Sequence, residues 1–80
     1  MPSLRRMSGL EVVAVFQSFG FGLFSQKGSH MKLRRLGYGG QKQTLTVPNH
    51  REIHAGTLRA IIRQATRYIR EDDLRPHFYV

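Results

Sequence analysis

Apolar residues follow two different periods along this chain, and the order in which the periods occur sets the fold class. Val12, Val13, Phe16 and Phe19 recur three and four apart, so they share one face of a helix. Ser8-x-x-Glu11 before them has capping-box spacing, in which each side chain satisfies the other's backbone donor. Gly20 can take the left-handed position that ends a helix, and Phe21 can then fold back on Phe16. A helix is predicted from about Gly9 to Phe19.

The period then changes to two. Gly22 to Lys27 and His30 to Leu36 read as strands joined by a Gly28-Ser29 turn. In the second strand Met31 and Leu33 point to one face, and His30, Lys32 and Arg34 to the other. Leu36-Gly37-Tyr38-Gly39-Gly40 reads as a flexible loop, and Gln43 to Val47 as a third strand with Leu45 and Val47 inward and Thr44 and Thr46 outward. Pro48-Asn49-His50 closes it, because proline cannot extend a central strand. Leu58, Ile61, Ile62, Ala65 and Ile69 return to the helical period and predict a helix over roughly Gly56 to Tyr68. After it, only a short turn around Asp72 to Leu74 is expected before Pro76. The fold class is therefore α+β, in the order α-β-β-β-α. A three-stranded antiparallel sheet carries both helices on one face and leaves the other open.

Length keeps this to one domain over residues 1–80, and a core this thin is marginal without added support. There is no cysteine, which excludes disulfides and thiolate metal sites. No apolar run approaches the roughly 20 residues of a membrane-spanning helix. The opening Met1 to Arg6 has two basic residues but leads into an amphipathic helix without a cleavage site. A cytoplasmic protein with no membrane partner is the expectation.

Charge changes the picture most. The net formal charge is +8, and residues 1–70, with twelve basic and two acidic side chains, balance at +10. Such a surface attracts polyanions by neutralising phosphates and releasing counterions. Nucleic acid, an anionic membrane and an acidic protein partner all satisfy that requirement.

Lys27-Gly28-Ser29-His30 is the sharpest candidate for chemistry. A histidine titrating near neutrality can shuttle protons at a phosphodiester. Gly28 lets a polyanionic backbone approach, and Lys27 and Lys32 can hold phosphate oxygens as charge develops. A solvent-exposed histidine at a hairpin end explains the same residues with no function. His50 and His54 are four apart, yet Pro48 argues against one helix carrying both, and only Glu52 is near to complete a metal set. No metal site and no cofactor are expected. Phe16 and Phe19 read as core, Tyr38 is the loop aromatic able to stack on a base, and His77 lies in the tail without an assigned role. Arg59, Arg63 and Arg67 align along one side of the second helix, either as a solvated face or as an anion contact.

Together these segments resemble the HicA family of bacterial toxins. Gly9-Leu10-Glu11-Val12-Val13, Gly20-Phe21, Gln26-Lys27-Gly28-Ser29-His30, Thr46-Val47-Pro48-Asn49-His50 and Gly56-Thr57-Leu58-Arg59-Ala60-Ile61-Ile62-Arg63-Gln64-Ala65 match its pattern in order and spacing. The resemblance implies a double-stranded-RNA-binding-like fold and a metal-independent endoribonuclease that cuts messenger RNA, with His30 catalytic. It also implies a HicB-like antitoxin as partner. RNA is then expected across the outer sheet face and the second helix, on Lys27, Gly28, Ser29, Lys32, Arg34, Arg59 and Arg63. The chain departs from the pattern in two places. Met31 stands where many members have a second histidine, and Thr66 replaces the glycine that ends the second helix, which predicts a longer helix toward Arg70. A non-catalytic RNA-binding module on the same fold, or a cationic protein that only meets an acidic partner, are the rival expectations.

Overall fold

The computed structural model describes residues 2–80; Met1 lies outside them. Helix α1 (Gly9–Ser18) is followed by strands β1 (Gly22–Lys27), β2 (His30–Leu36) and β3 (Lys42–Pro48), then helices α2 (Ala55–Ala65) and α3 (Glu71–Phe78). The strands form one antiparallel sheet in the order β1-β2-β3. This is the α+β order expected, with one helix added at the end.

The capping box forms as the sequence requires. Glu11 N–H donates to Ser8 Oγ at 3.1 Å, and Ser8 N–H donates to Glu11 Oε1 at 2.8 Å. Those bonds hold the Glu11 carboxyl below its ordinary 4.5, the Ser8 backbone bond being the largest cause. Phe21 returns onto Phe16 with ring centroids 6.0 Å apart. Phe16 is fully buried, whereas Phe19 is only partly so and packs edge-on to His77.

Strand alternation places Met31, Leu33, Leu45 and Val47 in the core beneath Val12, Phe16, Leu58 and Ile61. Burying each such side chain contributes about 1.5–3 kcal/mol. Gly28 has φ +59 and no other residue of its two-residue turn has positive φ, which is the pattern of a II′ hairpin turn. Strand β1 has no buried residue at all, and a bulge at Phe24 interrupts its pairing with β2. The loop after β2 is more ordered than expected, with a 3₁₀ turn at Tyr38–Gly40 closed by a Gly37 N–H to Gln41 carbonyl bond of 2.8 Å.

Two expectations about the C-terminal third need correction. Helix α2 does not run to Tyr68 or toward Arg70; it stops at Ala65. Thr66 Oγ1 donates to the Arg63 carbonyl at 2.6 Å, and Tyr68 and Ile69 N–H both reach the Ala65 carbonyl, so the backbone tightens and leaves the helix without a glycine. The segment after it is a full helix and not a short turn. Glu71, Asp72 and Asp73 fill the first turn of α3, where negative charge suits the helix dipole, and Glu71 pairs with Arg75 one turn on at 3.6 Å. Leu74 and Phe78 bury completely, Phe78 against Phe16 at 5.9 Å. Pro76 sits inside this helix, and the carbonyl it leaves without a partner belongs to exposed Asp72. The chain ends then meet, with Ser3 and Val80 exchanging backbone hydrogen bonds of 2.8 Å each way.

Candidate RNA-facing groove

His30 opens β2 beside the Gly28-Ser29 turn, exposed, and faces a groove of about 640 Å³. The groove does not lie on the middle of the open sheet face. It runs along edge strand β3, which packs beside α2, so that His30, Thr46 and Pro48 form one wall and Thr57, Gln64, Arg63 and Arg67 the other. Ile53 and Ile61 also line it, and His50 and His54 complete the rim. Three of the four histidines therefore meet in one groove that no carboxylate lines among the described residues.

Backbone pairing explains how the rim is held. His30 pairs with Pro48 across the sheet, and Asn49 N–H donates to the Ser29 carbonyl at 2.6 Å. Gly9 N–H then takes the His50 carbonyl at 2.9 Å, and Ile53 N–H the Met7 carbonyl at 2.9 Å. The approach at Gly9 is close enough that a Cβ there would stand 2.1 Å from the Pro48 carbonyl oxygen. His54 caps the backbone of α2, so the groove also looks onto the positive end of that helix.

The expected contact residues divide into two groups. Lys27 pairs directly with His30 across the hairpin and shares its face, and Lys32 lies two residues further along the same face. Gly28 and Ser29 form the turn beside them. Arg34 is drawn away: its guanidinium lies over the Phe24 ring, 3.9 Å from the centroid, and its Nε is buried without a partner. Arg59 faces the cavities beside Tyr79, while Arg63 and Arg67 face the histidine groove. Tyr38 is fully exposed at the opposite end of β2, about 20 Å along the strand from His30. None of the arginines on α2 joins an ion pair; the two pairs among the described residues involve Arg70 and Arg75.

Sequence reasoning passed over Arg35. It lies on the core side of β2, in step with Met31 and Leu33, and reaches three elements at once. Its guanidinium donates to Gln43 Oε1 at 2.5 Å, to the Phe19 carbonyl at 2.7 Å and to the Tyr68 carbonyl at 2.9 Å, and it covers the Phe21 ring. The first carbonyl belongs to the residue that caps the end of α1, and the second to the turn that carries the chain from α2 into α3. Alternation from Leu33 was the available signal.

A small α+β domain with a cation-flanked histidine groove defines a class of basic, anion-attracting modules. Residues 9–66 match the family described as HicA toxin of bacterial toxin–antitoxin systems, and the chain belongs to that family. Searches of curated proteins and of solved structures each returned no match. The protein is thus a toxin of a toxin–antitoxin system, a kind of toxin that pairs with an antitoxin. No helix among the described residues is long and apolar enough to cross a membrane.

Proposed function

We propose that this toxin is an endoribonuclease that cuts messenger RNA, with His30 as the base that takes the proton from a 2′-hydroxyl. The carrying observation is the position of His30, exposed at the mouth of a groove lined by Arg63 and Arg67 and by no carboxylate, with Lys27 and Lys32 on its own sheet face. Family membership supports it, since HicA toxins are generally RNases. Attack of the 2′-oxygen on its own phosphate gives a 2′,3′-cyclic phosphate and frees the 5′-oxygen, a reaction proton transfer can drive without a metal. The nearby cations hold the phosphate oxygens while charge builds on them. DNA lacks the attacking hydroxyl and is spared.

A HicB-like antitoxin would silence the protein by covering this groove. The net charge of +8 supports an acidic partner.

The test is to induce wild type and His30→Ala in bacteria and to follow growth and messenger-RNA integrity, with purified proteins assayed on an RNA oligonucleotide. Wild type stops growth and cleaves, His30→Ala loses about 10²–10⁴-fold in rate, and replacing the scissile 2′-hydroxyl by hydrogen abolishes cleavage. A folded His30→Ala protein that cuts at the original rate removes His30 from the chemistry. Salt-dependent RNA binding without products would instead identify a non-catalytic RNA-binding module.

A further inference from the structure

Cleavage by the route above needs a second proton. The departing 5′-oxygen must be protonated as its bond to phosphorus breaks, on the side opposite the attacking 2′-oxygen, and a base holding the 2′-hydroxyl proton is on the wrong side to supply it. Resting on the role proposed for His30, we infer that His50 is the general acid that protonates the leaving 5′-oxygen.

The two histidines line the same groove, and both are exposed to a substrate entering it. Their backbones are locked together. Pro48 pairs with His30, the Asn49 N–H to Ser29 carbonyl bond of 2.6 Å ties the end of β3 to the turn before His30, and α1 grips His50 from the other side through Gly9 N–H. Proximity held by the scaffold is what a concerted proton transfer requires.

Other donors are fewer than the cations suggest. Arg63 and Arg67 face the groove from α2, but a guanidinium serves as a fixed hydrogen-bond donor to anionic oxygens and not as a proton relay, so they stabilise charge. No carboxylate lines the groove among the described residues. Lys27 and Lys32 share the face of His30 but do not line the groove, which leaves His54 as the other proton donor within it. It stands at the start of α2, bonded through its carbonyl to Leu58 N–H, and has no backbone tie to the turn that carries His30.

The step balances. The 2′-hydroxyl proton passes to neutral His30 as the bond from the 2′-oxygen to phosphorus forms. Protonated His50 gives its proton to the 5′-oxygen as that bond breaks. The products are a 2′,3′-cyclic phosphate and a 5′-hydroxyl. No water or redox partner enters.

The experiment uses the full chain and one RNA oligonucleotide in two forms. The linkage cut by wild type is located first, and the oligonucleotide is then remade with sulfur in place of its bridging 5′-oxygen. A thiolate leaves without protonation, so an enzyme lacking only its acid should still cut the sulfur linkage. His50→Gln is expected to lose about 10²-fold or more on the oxygen linkage and less than about 10-fold on the sulfur linkage. His30→Ala is expected to lose both. Equal losses of His50→Gln on the two linkages, which a folding or binding defect would produce, overturn the inference. So does activity within about 3-fold of wild type on the oxygen linkage, or a leaving-group-specific loss found in His54→Gln instead. If His30→Ala cuts the sulfur linkage at the wild-type rate, the role of His30 fails, and that outcome is read separately from His50.

Discussion

Removing the Arg35 side chain tests whether a single inward-facing cation ties the segments that follow α1 and α2 to the sheet. Arg35→Ala deletes three hydrogen bonds and leaves the Phe19 and Tyr68 carbonyls without their donor. A hydrogen bond to a charged group contributes about 1.5–3 kcal/mol when well sheltered. Arg35 is half-buried and water can replace part of each bond, so about 1 kcal/mol apiece is the fitting value, with a further contribution from the lost cover over Phe21. The total is about 3–4 kcal/mol. For a chain of this size, with roughly 4–12 kcal/mol of stability in all, that is a large share. It corresponds to a fall of about 12–30 °C in melting temperature. Arg35→Lys should recover less than half, because an ammonium cannot present the planar fork that reaches three acceptors in different elements. Urea unfolding followed by circular dichroism reads both variants. An Arg35→Ala protein within about 1 kcal/mol of wild type would refute the clamp, and would mean that these carbonyls are as well served by solvent.

Two helix-start glycines should respond to alanine with opposite signs. A Cβ at Gly9 meets the Pro48 carbonyl at 2.1 Å, so Gly9→Ala should cost about 1–3 kcal/mol, whereas Gly56 has nothing within 4 Å and Gly56→Ala should add about 0.4–1 kcal/mol in the same urea titration. Acid should expose the capping box. The Glu11 carboxyl is lowered in the folded state, so its stabilising effect is full above its ordinary 4.5 and is lost as pH falls through the folded value. Melting temperature should therefore drop more steeply for wild type than for Glu11→Gln between about pH 5 and pH 3; identical slopes would show that the carboxylate contributes nothing at that cap.

Legibility followed how local the cause was. The start of α1, both strands of the first hairpin and the core side of α2 were readable because each depends on neighbours within one turn or one strand pair. Helix α3 was not, since Pro76 reads as a stop. Leu74 and Phe78 lie one turn apart, and that spacing becomes decisive only once Phe16 is known to lie beneath them. The end of α2 was misjudged for a related reason: a threonine whose hydroxyl bonds back to Arg63 does what a terminal glycine would have done. At the site, His30 and its lysines were legible from strand alternation. His50 was weighed only as a metal ligand, because its approach to His30 is made by a bond between Asn49 and Ser29, twenty residues apart in sequence. Arg34 and Arg35 exchanged importance: the first stacks on a bulged phenylalanine no pattern announces, and the second turns inward.

The pairing of Ser3 with Val80 makes the molecule anisotropic under load. The two terminal segments run antiparallel, joined by the Leu4–Tyr79 bridge, and their outer ends emerge together. A force that draws those ends apart peels the bonds one pair after another, as a zipper opens, instead of shearing them all at once. The next element under tension is α3, and extracting Phe78 bares the Phe16 ring before any strand of the sheet has moved. Resistance to such a pull is thus set first by the buried Leu74 and Phe78 at the C-terminal end, and at the N-terminal end by the Met7–Ile53 and Gly9–His50 bonds that hold the rim of the groove.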